Sequence, residues 1–182
     1  MFSWKTLAIL SCAWVLNACQ NDMKTVNTIT RKDHSPAVVA KDIELVYSDS
    51  AKVGAILKSP LVENYPGDDP YIVFPKGFVV TFYDDSMHVK SSLSANYGVS
   101  RETRKIMEAK GNVVVYNFEK NQKLNTEHLI WYQVRKMIIS DEFVKITTAT
   151  QVLYGDGLTS DESLSKIHIG KVKGKMALRK DM

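Results

Sequence analysis

Phe78-Val79-Val80-Thr81-Phe82-Tyr83, followed by Asp84-Asp85-Ser86 and then Met87-His88-Val89, contains a strand, a turn and the start of a second strand. Phe78, Val80 and Phe82 recur at every second position, the spacing that puts side chains on one face of a pleated strand. The aspartates and serine between the runs are residues whose side chains bond their own backbone in tight turns. Period two decides the fold class.

The same pattern extends in both directions. Upstream, Ile43, Leu45 and Tyr47 alternate with Asp42 and Glu44, and Val53, Ala55 and Leu57 alternate with Lys52, Gly54 and Lys58. Downstream come Leu93 and Ala95 among polar neighbours, Val113-Val114-Val115 with Tyr116 and Phe118, Leu129-Ile130-Trp131-Tyr132 and Met137-Ile138-Ile139. Phe143-Val144-Lys145-Ile146, Val152-Leu153-Tyr154 and Ile167-His168-Ile169 complete the series. Turn chemistry separates these runs at Ser48-Asp49-Ser50, Tyr65 to Pro70, Pro75-Lys76-Gly77, Asn121-Gln122 and Gly155-Asp156-Gly157. Many short strands with frequent turns predict an all-β sandwich, jelly roll or barrel. Ser100 to Lys110 is rich in helix formers, but its few apolar residues give no core-facing stripe, so it is read as strand and turn.

The N-terminus carries an address. Lys5 precedes the apolar run Thr6 to Leu16, which ends in Leu16-Asn17-Ala18-Cys19. That run fits the roughly 7–15 residues of a signal-peptide core and falls short of the roughly 20 needed to span a bilayer. The stretch reads as a lipoprotein cleavage site, with Cys19 as the acylated residue. Ile9-Leu10-Ser11-Cys12 is a rival match that would leave too short an apolar core. Three segments follow: a signal peptide over 1–18, a polar lipid-anchored tether over 19–39, and a β domain over 40–182. The chain has two cysteines, Cys12 and Cys19, so after cleavage and acylation the domain has no disulfide to rely on.

Composition narrows function by exclusion. The net charge of +4 over 182 residues is spread along the chain, with no basic stripe and interleaved aromatics, so a nucleic-acid partner is not expected. There is no nucleophile elbow, phosphate loop, zinc-binding helix motif or EF-hand loop. His34, His88, His128 and His168 are scattered and read as surface residues. Asp84-Asp85, Asp141-Glu142 and Asp161-Glu162 sit beside turns. No enzyme, metal or cofactor is expected, and a paired-carboxylate hydrolase stands as a distant third reading.

Ala109-Lys110-Gly111-Asn112-Val113-Val114-Val115, then Leu124 to Trp131 and Ile139-Ser140-Asp141, resembles the LptC family of lipopolysaccharide-transport proteins. Val144-Lys145-Ile146, Gly155-Asp156-Gly157-Leu158 and Val172-Lys173-Gly174 are similar to the family's C-terminal half. Tyr47-Ser48-Asp49, Phe74 to Gly77 and Phe82-Tyr83-Asp84 resemble its Bacteroidetes-type version. Well-studied members keep a transmembrane helix where this chain has a lipobox.

The resemblance implies an open antiparallel β-jelly roll of two splayed sheets whose apolar interior receives acyl chains of lipopolysaccharide. It implies delivery from an inner-membrane ABC transporter with β-jelly-roll periplasmic domains, and onward transfer to an LptA-like bridge protein by pairing of edge strands. The location implied is the periplasm, lipid-anchored at the inner membrane. The interior phase is expected to contain Phe82, Leu93, Val113, Val115, Leu129, Trp131, Ile139 and Val144. The partner edges are expected at Ile43, Leu45 and Tyr47 on the transporter side, and at Ile167, Ile169, Val172 and Met176 on the outward side. Gly155 and Gly157 read as backbone devices for a turn or bulge. The competing reading is a structural or adhesive surface lipoprotein with no lipid-transfer role.

Overall fold

The computed structural model describes residues 35–49, 52–162, 164 and 166–178; Cys19, most of the expected tether and His34 lie outside them. The alternating runs form eleven strands: β1 (Val38–Asp49), β2 (Lys52–Tyr65), β3 (Tyr71–Phe74), β4 (Phe78–Tyr83), β5 (Val89–Ala95), β6 (Tyr97–Arg101), β7 (Ile106–Asn117), β8 (Gln122–Tyr132), β9 (Met137–Thr147), β10 (Gln151–Asp161) and β11 (His168–Ala177). All belong to one antiparallel sheet, and no helix occurs among the described residues. Ser100 to Lys110 divides between the end of β6, a turn whose Lys105 amide donates to the Glu102 carbonyl at 3.3 Å, and the start of β7. Cross-strand pairing outweighs the helix preference of that segment.

Two forks fold the sheet on itself. β2 pairs along its length with β1 on one side, but on the other side Ala55–Lys58 pair with β4 and Glu63–Tyr65 pair with β3. In β7, Ile106–Lys110 pair with β6 and Val114–Asn117 with β5. Pro60, which cannot donate to a ladder, stands at the β2 fork opposite Asp42, between the Lys41–Leu61 and Ile43–Ser59 pairs. Gly111 and Asn112, with φ of 73° and 46°, form the bulge at the β7 fork. These irregularities form a crease across the long strands, and the halves on either side of it become two arms. The arms face each other, because Phe82 of one meets Trp131 of the other across 5.5 Å.

The register makes the inner surface continuous. In one arm the cross-strand row runs Leu45, Leu57, Val80, Leu93, Val115, Leu124, Ile146, Leu153, each paired with the next. In the other, Met107 pairs with Trp131 and Trp131 with Ile138. Both arms contribute to one hydrophobic core. Fully burying a Leu, Val or Ile is worth about 1.5–3 kcal/mol, so this row is a main source of stability for a domain without a disulfide.

The edges are as simple as the interior. β1 pairs only with β2 and β11 only with β10, so the sheet ends at both. Gly155 holds β11 close for a steric reason. A Cβ there would overlap Ile169 Cγ2 and come within 2.6 Å of the Lys171 carbonyl oxygen. Gly157, with φ of 73°, sits at the β9–β10 register shift, opposite the extra residue that β9 carries between Phe143 and Ser140, in a left-handed conformation that glycine adopts without strain.

Candidate functional site

The space between the arms opens at two places. On the β1–β2 side is a cavity of about 200 Å³, lined chiefly by Tyr47, Leu57, Phe74, Phe82, Met107 and Trp131. The Phe82 and Trp131 rings meet edge to face at 84°, and Trp131 Nε1 donates to Glu162 Oε2 at 3.2 Å. On the β9–β11 side is a more open groove of about 550 Å³, lined by Ile146, Leu153, Leu164, Ile167, Ile169 and Val172 among others. Between them Val113, Leu124, Leu129, Val144 and Ile146 have no solvent exposure at all. The interior is one apolar layer, packed solid at its centre and open at its ends.

Of the interior residues read from the sequence, Phe82 and Trp131 line the first cavity, and Leu93, Val113, Val115, Leu129 and Val144 are buried in the core. Ile139 falls on the other phase. It pairs with Ile130, while the inward positions of β9 are Ile138, Ser140, Val144 and Ile146. Three apolar residues in a row, Met137-Ile138-Ile139, have no phase of their own, and the pairing partner decides which one points inward. Leu57, Phe74, Met107 and Ile138 belong to the inner surface and were not singled out. Strict period-two counting from Val144 would have found Ile138.

Ile43, Leu45 and Tyr47 lie on edge strand β1; Ile169, Val172 and Met176 lie on edge strand β11, with Ile167 just before it. Both edges expose apolar side chains: Val46 is 54 % exposed, Val172 62 % and Met176 52 %. Such open edges are ready for strand addition.

A charged cluster lies on the outer side of the crease. The β8–β9 ladder is interrupted between the Asn125–Lys145 and Ile130–Ile139 pairs, and side chains hold the gap. Inside, Ser140 Oγ and Thr126 Oγ1 are 2.9 Å apart, and Thr126 donates to the Phe143 carbonyl at 3.0 Å. Outside, His128 Nδ1 donates to Asp141 Oδ1 at 2.9 Å and Nε2 to Glu108 Oε1 at 2.8 Å. A ring that donates from both nitrogens is an imidazolium. Desolvation works to lower its pKa, but the hydrogen bonds and charges of Asp141 and Glu108 outweigh it and hold His128 above its ordinary value. Glu108 is held low by Lys110 and His128, and Asp141 by the hydrogen bond from His128. His88 and His168 are exposed, whereas the His128 side chain keeps only 19 % of its exposure. Only the tertiary pairing reveals that difference. Among the described residues no group of three or more His, Cys, Asp or Glu could hold a metal ion.

The described strands form a two-armed β-jelly roll with an apolar inner face, open at two places and bounded by the edge strands β1 and β11. Residues 6–177 match the family described as lipopolysaccharide-assembly, LptC-related, and the chain belongs to that family. It thereby takes part in lipopolysaccharide transport with the Lpt machinery, on the periplasmic side of the cell envelope. No curated protein matches the chain.

Proposed function

We propose that this protein receives lipopolysaccharide from the inner-membrane ABC transporter and passes it along a bridge of β-jelly rolls toward the outer membrane. Acyl chains lie between the arms while sugars and phosphates stay in water, an arrangement that needs apolar area and no directional bonds. The observation that carries this reading is the unbroken aliphatic row from Leu45 on β1 to Leu153 on β10, which joins the two ends of the sheet. β1, with Ile43, Leu45 and Tyr47, pairs with the transporter side. β11, with Ile169, Val172 and Met176, pairs with an LptA-like partner. A signal peptide over 1–18 is removed, Cys19 carries the lipid anchor at the inner membrane, and the tether over 19–39 holds the domain over 40–182 near the bilayer. No covalent chemistry is involved.

Photo-crosslinking residues at Phe82, Trp131 and Val172 in cells test this. Adducts with lipopolysaccharide that depend on ATP hydrolysis by the transporter are the expected result. Absence of adducts at all three positions sinks the reading, and digestion of the protein by external protease in intact cells favours a surface-exposed structural role.

A further inference from the structure

The two openings of the interior differ in charge. The lining of the β1–β2 cavity contains no charged residue; its polar members are Tyr47, Ser100 and Gln133. The β9–β11 groove includes Lys120 and His168 in its lining and no carboxylate. The aliphatic row also ends there on a cation, because Leu153 pairs with Lys175 of β11. Directly opposed residues on neighbouring antiparallel strands share a face, so Lys175 stands on the inner face beside the groove. Two neighbouring lysines are engaged elsewhere: Lys173 pairs with Asp156 at 2.6 Å, and the Lys145 ammonium lies over the Tyr154 ring. Among the described residues Lys175 has no carboxylate partner.

An apolar floor with cations at its rim and no acid in its lining complements one kind of occupant, an acyl chain joined to an anionic head group. We infer that the β9–β11 groove is where the phosphorylated head group of the lipid is read, with Lys175 pairing with the phosphate while Leu153 and Val172 hold an acyl chain. This rests on the function proposed above and adds a polarity to it. The β1–β2 cavity takes hydrocarbon alone, and the anionic end of the lipid registers at the outward end of the molecule. Lys175 is a specificity-determining residue, because a neutral amphiphile would fill the same apolar floor without engaging it.

The test uses the full-length chain in membrane vesicles, with a photo-crosslinking residue at the exposed Val172 or at Phe82, supplied with phosphorylated or enzymatically dephosphorylated lipopolysaccharide. Capture at Val172 is expected to favour the phosphorylated lipid by about tenfold, the factor that one charge-assisted hydrogen bond supplies. Lys175→Gln should abolish the preference, Lys175→Arg should keep it, and Lys173→Gln should leave it unchanged, with circular dichroism establishing that each variant is folded. Equal capture of the two lipids at Val172, or an equal loss in Lys173→Gln, overturns the inference. Full blockage of capture by millimolar inorganic phosphate also overturns it, since the site would then hold a free anion. Phe82 separates the two ideas. Capture there with no phosphate preference at Val172 removes this inference alone, whereas no capture at either position removes the proposed function with it.

Discussion

Replacing Gly155 with alanine should loosen β11 and leave most of the sheet in place. The added Cβ would meet Ile169 Cγ2 and the Lys171 carbonyl oxygen, the latter at 2.6 Å. A side chain can rotate away from such a contact, but the carbonyl is fixed in the strand that pairs with β10. Relief therefore requires β11 to move outward, breaking pairs near Gly155–Val172 and Asp156–Lys171. Overpacking of this kind costs about 1–3 kcal/mol, and the fixed backbone contact puts the expected value near the upper end. Ile169→Ala alone should cost about 1–2 kcal/mol, less than a full core truncation because the side chain is only partly buried. In the double variant one of the two overlaps is gone, so the losses should fall short of their sum by about 1 kcal/mol. Urea unfolding followed by circular dichroism gives the three values, and hydrogen exchange should show faster opening of the β11 amides in Gly155→Ala. A loss below about 0.5 kcal/mol, or strict additivity in the cycle, would refute the claim that close approach rather than turn geometry demands this glycine.

The His128 clamp should make stability depend on pH. Its folded pKa is raised, so its contribution is fully present below the unfolded value of about 6.5 and is lost as pH rises through the folded value. Glu108 and Asp141 have lowered values, and their contributions fade as pH falls through the carboxylate range. The advantage of the wild type over His128→Gln in thermal melting should therefore peak between about pH 5 and pH 6.5 and decline on both sides; a constant difference would count against the ion pairs. Thr126→Val leaves Ser140 and the Phe143 carbonyl without their partner and should cost about 1–3 kcal/mol, whereas adding Ser140→Ala should restore part of the loss. Phe82→Leu and Trp131→Leu, taken through a double-mutant cycle in urea, should show a coupling of about 0.5–1.5 kcal/mol from their edge-to-face contact. Cys19→Ser should block lipoprotein processing and release the protein from the membrane fraction; unchanged processing and retention would refute the anchor.

Strand content was legible because period two is local: Phe78-Val80-Phe82 and Ile43-Leu45-Tyr47 announce a pleated face without reference to anything distant. The partner edges were assigned from the family resemblance and not from the residues; that β1 and β11 end the sheet is decided by strand pairing. Buried positions were legible wherever a run had a clear phase, as at Leu93 between Ser92 and Ser94. Legibility failed at Ile139, where consecutive apolar residues leave the choice to the partner strand.

What the sequence determined by itself was an all-β chain in short antiparallel runs, with an apolar phase and a family likeness spread over nearly the whole domain. The tertiary structure decided the rest. The forks at Pro60 and Gly111-Asn112, the two openings of the interior, the imidazolium between Glu108 and Asp141, and the position of Lys175 at the end of an aliphatic row each depend on which strand lies beside which. Alternation along one strand fixes that there are two faces. Hydrogen-bonded register with a strand far away in the chain fixes which face is inside and what charge waits at its end.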